Sequence, residues 1–480
     1  MVSLALIIYL IVLFAISRWT TGVKGTNDTF FRAERRSPWY MVAFGMVGAS
    51  ISGVTFVSVP GMVLTSGMTY LQVCLGFILG YLAVAYVLLP VYYRLNLTSI
   101  YGYLGHRLGR QSYLTGSCFF LLSKTVGSAV KFYVVCIIIQ RMVLGELGVP
   151  FSLTVVGLVF LIWLYTHRGG VRTLVFTDVF QTLCLFSALL LIIWEVMQLH
   201  GTSFTTLHSQ LWDDARSRIF IMDNWMSPQN FWKQLLSGAF IVIVMTGLDQ
   251  DMMQKNLTCR TLRESQMDMC SYGMAFLPAN LLFLALGILL AQLFEAEGIS
   301  LPSQSDELLP MFVSKSGTFI KSLFTIGIVA ASFSSADSAL TSLTTCYCID
   351  IRGRHNDETL RRRSHLIICI VFAAIILIFH ALNNRSLIDA IYTLVSYTYG
   401  PLLGLFAFGL LTHRQVRDRY VPFVCISSPF ISYKAAQLSQ SLFGYHFGYE
   451  LLMLNGLLTF IGLWVFSKEK PISIIERLKN

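Results

Sequence analysis

The sequence predicts an all-α, polytopic membrane protein. Three observations carry that reading. Apolar residues make up 55% of the 480 positions, charged residues only 12%, and the mean hydropathy is +0.66. A water-soluble chain of average make-up carries about 25% charged residues, and far fewer cannot cover the surface of a globule. The same figures exclude a disordered chain, a coiled coil, a collagen and a disulfide scaffold. Apolar stretches near the roughly 20 residues that a spanning helix needs recur along the whole chain. Lysine and arginine collect in every second connection between them.

Thirteen candidate spans run approximately 3–17, 39–66, 70–93, 113–144, 150–167, 172–200, 230–253, 270–296, 318–350, 364–382, 386–411, 420–438 and 446–467. The first does not read as a cleavable signal, because residues 13–25 lack a small-residue cleavage site and the basic stretch follows the apolar run. The second mixes glycine, serine, threonine and proline into its apolar background. The fourth carries Lys124 and Lys131, the sixth Asp178 and the ninth Asp337. Only the connections 201–229 and 297–317 leave room for folded elements outside the bilayer. No linker is long or rich in proline and serine, so residues 1–480 read as one integral domain.

The connections 18–38, 94–112, 168–172, 254–269, 351–363 and 412–419 and the tail 468–480 hold 25 of the 35 lysines and arginines. The alternate loops hold Arg216, Arg218, Lys315 and Arg385. This asymmetry places the N-terminus outside and the C-terminus in the cytoplasm. The net charge of +10 is then mostly topology and not a nucleic-acid signal. The run Arg361-Arg362-Arg363 reads first as a stop against translocation and second as a contact for anionic lipid or nucleic acid. Eight of the ten cysteines fall within spans and none lies in an outer loop, so no disulfide framework is expected.

Polar groups at membrane depth mark function in such a chain. In the second span, Gly45 to Gly61 packs four glycines, three serines, a threonine and a proline into seventeen residues. Within a helix, glycine costs about 1 kcal/mol and proline about 3 kcal/mol relative to alanine. This composition suits a discontinuous span whose unwound carbonyls coordinate ions. Close packing of small residues between helices suits it equally. In the ninth span, Ser334, Asp337, Ser338 and Thr341 recur at helical spacing and form one polar stripe, with Ser335 beside it. Hydroxyl and carboxylate oxygens are hard ligands, suited to a small hard cation rather than to zinc or copper. Hydroxyls bonding back to i−4 carbonyls explain isolated serines but not a buried aspartate. In the sixth span Asp178 lies about two turns inside, with Thr177 and Gln181 beside it, and points to a cation or proton partner.

These segments together resemble the sodium:solute symporter family, which includes the sodium–glucose, proline, iodide and sialic acid transporters. The resemblance runs from about residue 29 to 411. It is carried by Phe30-Phe31-Arg32, Arg36-Ser37-Pro38-Trp39, Ala49-Ser50, Ser52, Thr55-Phe56, Pro60-Gly61 and Tyr103-Leu104-Gly105-His106-Arg107-Leu108-Gly109. It continues through Gly169-Gly170, Thr177-Asp178, Gln181, Asp249-Gln250, Gln254-Lys255, Ala330-Ala331, Ser334-Ser335 and Tyr399-Gly400-Pro401-Leu402-Leu403-Gly404. Each match is weak alone, and their order makes them strong together.

The resemblance implies the leucine-transporter-type fold of two five-helix inverted repeats, spans 2–6 and 7–11, with one extra helix before and two after. The chain then divides as 1–38 (extra helix and cytoplasmic loop), 39–200 (repeat one), 230–438 (repeat two, with the twelfth span) and 446–480 (last helix and cytoplasmic tail). It implies one sodium ion held by carbonyls of Gly48, Ile51 and Ala331 and hydroxyls of Ser334 and Ser335. Some relatives carry a second sodium, for which Asp178, Asp337 and Ser338 stand here. Asp337 departs from the hydroxyl expected at its position. The two carboxylates either hold that second sodium, the favoured reading, or leave Asp337 neutral or paired with Lys124 or Lys131. For the solute the resemblance implies Ser52, Thr55, Gln72 and Lys124, the last standing where a sialic acid carrier has its carboxylate-binding arginine. A lysine is a point charge where arginine offers a fork. Internal pairing of Lys124 and Lys131 with Asp178 or Asp337 is an equal alternative. Phe56, Tyr70, Phe132 and Tyr133 either stack on a sugar or pack the core.

The expected function is sodium-coupled import of a small polar organic solute by alternating access. The solute is a sugar, an acidic sugar such as sialic acid, or a carboxylate. The protein is expected to work as a monomer in the cell (inner) membrane, with no enzyme activity and no nucleic-acid partner. The alternatives are a proton-coupled or uncoupled carrier of the same fold and an ion channel, which would need a continuous polar path.

Overall fold

The computed structural model describes residues 2–21, 25–145, 148–201, 211–382 and 397–469. Each of the thirteen apolar stretches contains helix within these residues; the part of the eleventh before Tyr397 lies outside them. Helix α1 is Val2–Thr21. The second stretch divides into α2 (Trp39–Ser50) and α3 (Gly53–Gly61). Between them Ile51 and Ser52 take extended backbone, with φ/ψ of −85°/92° and −73°/165°. Ser52 then caps α3, its Oγ accepting from the Thr55 N–H at 3.3 Å. Past Pro60 the chain turns at Gly67, whose φ of +58° is a conformation side chains resist. It runs back as α4 (Tyr70–Ala83), so that Ser50 and Tyr81 both meet Tyr272.

Helices α5 (Arg110–Ile139), α6 (Phe151–Thr166) and α7 (Val171–His200) complete the first half. The second half opens as the first does, with a broken helix. Helix α8 (Phe231–Val242) continues through a π-helical turn to Gly247, and α9 (Gln250–Asn256) leaves it at 70°. Asp249 caps α9 by accepting from the Asp251 N–H at 2.8 Å. Then follow α10 (Leu262–Ala296), α11 (Thr318–Cys346), α12 (Glu358–Leu382), α13 (Tyr399–Leu411), α14 (Val421–Phe443) and α15 (Leu451–Val465). Helices α10 and α12 start before the apolar runs 270–296 and 364–382, because their polar first turns continue the helix beyond the hydrocarbon. Among the described residues seven helices are long and apolar enough to cross a membrane, eight with the bent pair, and four more are apolar but shorter.

Helix α11 is the most enclosed: residues 327–334 and 336–346 are buried. Helix α7 packs against both α11 and α2. A Cβ at Gly48 of α2 would stand 2.0 Å from Thr182 Oγ1, and one at Gly45 2.9 Å from Asp178 Cβ. The glycine-rich second span therefore answers to both readings, since it is broken at Ile51 and also packs closely on a neighbour. On the outside, Leu4, Ile7, Ile8 and Ile11 of α1 and Ile367, Ile370 and Ile378 of α12 are exposed. A bilayer is the solvent for such faces.

Two basic residues counted among the cytoplasmic loop charges are buried, Lys255 and Arg361. Arg361 donates to Asn27 Oδ1 at 2.7 Å and to the carbonyls of His167 and Gly25 at 3.0 and 3.1 Å. The run at 361–363 is therefore not uniform. Its first residue is an internal strut joining three segments, and only Arg362 and Arg363 meet the surroundings.

Candidate functional site

The break between α2 and α3 lies opposite the polar stripe of α11. Three residues of that stripe reach three different helices. Ser335 donates to the carbonyl of Ala49, at the open end of α2, at 3.0 Å. Ser334 donates to Asp178 Oδ1 on α7 at 2.6 Å. Asp337 accepts at Oδ2 from the hydroxyl of Tyr165 on α6 at 2.6 Å, and at Oδ1 from its neighbour Ser338 at 3.2 Å. Ser334, Asp337, Ser338 and Thr341 are buried, whereas Ser335 borders a cavity.

The two helix breaks differ in how their carbonyls are satisfied. At the second, Gly247 and Leu248 accept from the hydroxyls of Tyr92 and Tyr101 at 2.9 and 3.0 Å. At the first, Ile51 N–H bonds back to Gly48 and Val47 at 3.2 and 3.3 Å, and the serine of α11 meets Ala49. Neutral carbonyl and hydroxyl oxygens around an unwound turn are hard ligands of the kind sodium takes. The residue types at the first break are thus of the kind sodium takes; of Gly48, Ile51, Ala331, Ser334 and Ser335, expected to hold it, Ser335 bonds across the break to Ala49, Ser334 bonds to Asp178, and the Gly48 carbonyl accepts from the Ile51 N–H.

The surroundings of Asp178 were not legible in the sequence. Its Oδ2 lies 2.7 Å from Lys255 Nζ, and the two side chains are only 1% and 2% exposed. Lys255 belongs to α9, which the bend after Gly247 carries against α11 and α2. Asp337 makes no ion pair with Lys124 or Lys131 among the described residues. Lys124 is instead held by two carboxylates from the second break: Asp251 Oδ2 at 2.7 Å and Asp249 Oδ2 at 3.2 Å. The partners considered for both residues from sequence are thus replaced. The reason is the α8–α9 bend, which inserts Asp249, Asp251 and Lys255 into the core.

A cavity of about 630 Å³ adjoins the first break. Ser52, Gly53, Lys124, Lys131, Thr246 and Ser335 are among its lining residues, with Tyr70, Phe77, Phe132, Tyr272 and Tyr449 as aromatic walls. Lys131, which lines this space, has no ion-pair or hydrogen-bond partner among the described residues. Thr55 bonds to Ser52 at 3.1 Å and does not line the cavity. Gln72 lies away from it: the side chain donates to the carbonyls of Thr69 and Gln229 and accepts from the Ile221 N–H, tying the start of α4 to the 221–229 loop. Of the aromatics singled out in the sequence, Tyr70 and Phe132 face the cavity. Phe56 packs edge-on against Phe283 and Phe324, and Tyr133 against Phe151.

Comparison with known proteins matches residues 30–418 to the model of the sodium:solute symporter family. The chain belongs to that family. It is 25% identical to the sodium/sialic acid symporter SiaT of Proteus mirabilis, over 92% of this chain and 90% of that one. It is 23% identical to the human sodium/iodide cotransporter over 81% of this chain, which spans 62% of that longer protein. The fold matches that of a Na+-coupled sialic acid symporter in a substrate-bound, outward-open state with a TM-score of 0.82, at 20% identity, covering 98% of this chain and 99% of that one. A nucleobase-cation-symport-1 family transporter in a closed conformation matches with a TM-score of 0.57 and 14% identity, covering 92% of this chain and 93% of that one. As a sodium:solute symporter the protein is a multi-pass membrane transporter with sodium as its coupling ion, and not an enzyme.

Proposed function

We propose that this symporter carries a small organic acid, an acidic sugar or a carboxylate, together with sodium through the cavity beside the first helix break. The observation that carries the proposal is Lys131, an ammonium on the cavity wall with no acidic partner among the described residues. A solute carboxylate would supply the missing charge. Lys124, already between two aspartates, serves instead to hold α5 against the α8–α9 bend. Ser52 and the aromatic walls would meet the neutral part of the solute. That curated relatives include sodium/sialic acid symporters supports this reading.

Sodium at the first break would join α2 to α11 through Ser335 and stabilise the shape that the solute fits. Coupling is then a differential affinity of one solute for two states. Tyr70 and Tyr449, which line the cavity, stand next to connections predicted extracellular. With this reading go an outside N-terminus, a cytoplasmic C-terminus, a single integral domain and a functional monomer. The two carboxylates around Lys124 favour a second reading, in which the solute also carries an amine.

A thermal-shift screen of the purified protein tests this. The panel is N-acetylneuraminate, other sugar acids, monocarboxylates, neutral sugars and amino acids, each in sodium and in potassium. Stabilisation by an acid in sodium alone is expected. A hit confined to neutral sugars would remove Lys131 from recognition, and equal stabilisation in both salts would remove sodium coupling.

A further inference from the structure

We propose that Lys255 is a built-in cation occupying the place of a second sodium, so that the carrier binds one sodium ion per cycle. The proposal rests on the sodium-coupled reading above and deepens it.

Three of the four carboxylate oxygens in the expected second site accept a hydrogen bond from within the chain, and the fourth, Asp178 Oδ2, is met by the charge of Lys255 without a hydrogen bond. Asp178 receives Ser334 at one oxygen and the Lys255 ammonium at the other, at 2.6 and 2.7 Å. Asp337 receives Tyr165 at one and Ser338 at the other, at 2.6 and 3.2 Å. A second sodium would have to displace a tethered ammonium from a carboxylate only 1% exposed. At this site Asp178 and Asp337 against the Lys255 ammonium leave one positive charge to be supplied, and the sodium proposed at the neighbouring break is the nearest mobile cation. A buried ion pair that loses one member leaves an uncompensated charge, so the space left by Lys255 would itself demand a cation. Unlike sodium, the ammonium is fixed to α9 and cannot leave with the solute. It holds the carboxylate without drawing on the gradient.

The test counts sodium ions without needing the solute. Stabilisation of the folded state by a ligand grows with the logarithm of its concentration above saturation, in proportion to the number of ions bound. The slope of thermal stability against the logarithm of sodium concentration, with choline as replacement, is measured on the full chain. Wild type and Lys255→Arg are expected to show a one-ion slope. Lys255→Met should double the slope, and Asp178→Asn in the Lys255→Met background should return it to one. A Lys255→Met protein recovered in sodium but not in choline supports the proposal equally. A two-ion slope in wild type, a one-ion slope in Lys255→Met, or a Lys255→Met chain not recovered even at high sodium overturns it. Wild type with no sodium slope at all would instead overturn the sodium-coupled reading beneath it.

Discussion

Replacing Gly48 with alanine asks α2 to accept a methyl group where α7 already stands. The new Cβ would lie 2.0 Å from Thr182 Oγ1, 2.8 Å from Thr182 Cβ and 3.1 Å from its Cα. The threonine hydroxyl cannot simply swing aside, because it donates to the Asp178 carbonyl at 2.6 Å. Ordinary contact begins near 3.4 Å, so the helices must part by 0.6 Å to clear the Cβ and by 1.4 Å to clear the Oγ1. Overpacking of this kind costs about 1–3 kcal/mol. The upper part of that range applies, since the obstacle is a β-carbon fixed to a helix rather than the end of a flexible chain. Alanine recovers about 1 kcal/mol of helix propensity. The net loss is then about 1–2 kcal/mol. If it falls on the closed arrangement of α2, α7 and α11 that would hold the ion, sodium half-saturation rises about 5- to 30-fold, at 1.4 kcal/mol per tenfold. The assay is a sodium titration of thermal stability and of uptake. Gly157 of α6 is the control: nothing lies within 4 Å of its would-be Cβ, so Gly157→Ala should hold or gain stability. Gly48→Ala with unchanged stability and sodium affinity would refute close packing as the reason for a glycine at the break.

Lys131→Met should raise KM for the acidic solute about tenfold or more, as expected for one charge-assisted bond of about 1.5–3 kcal/mol, and leave sodium half-saturation alone; equal uptake kinetics would move solute recognition elsewhere. Lys124→Met should instead destabilise the whole protein by about 3–5 kcal/mol, because Asp249 and Asp251 lose their shared cation; a variant as stable as wild type in a melting assay contradicts this. Ser335→Ala should weaken sodium binding about tenfold, near 1.4 kcal/mol, while the protein still inserts, and normal sodium dependence of uptake would take Ser335 out of the site. In the connection between α7 and α8, hydrogen bonds from the Arg216 guanidinium hold Asp214 down at about 2. A depressed carboxylate stabilises the fold above its unfolded value near 3.9 and ceases to do so as pH falls toward its folded value. The stability gap between wild type and Arg216→Met should therefore close as pH drops from about 4 to about 2; a gap constant in pH would exclude the linkage.

Composition and the spacing of apolar stretches determine by themselves that this chain is helical and spans a membrane, because hydrocarbon leaves the backbone few other ways to satisfy its polar groups. The break at Ile51 is only half legible, since glycine, serine and proline in one span suit a discontinuous helix and close helix packing equally, and the family resemblance alone implies the break. The stripe Ser334, Asp337 and Ser338 follows from helical period alone. Period gives direction on a helix but not what stands opposite. Three residues within one turn of α11 meet α7, α2 and α6, and no pattern in the sequence distinguishes those neighbours. The partner of Asp178 was hidden for a related reason. A lysine at the end of an apolar run reads as a topology signal facing the cytoplasm, and Lys255 was counted as one. Only the 70° bend of the second broken helix carries it back into the core. The same bend brings Asp249 and Asp251 to Lys124 and leaves Lys131 as the cavity's unpaired cation among the described residues. Residue types were set by the sequence; which charge meets which was decided by tertiary packing, because charge pairing depends on distances of a few ångströms between helices far apart in the chain.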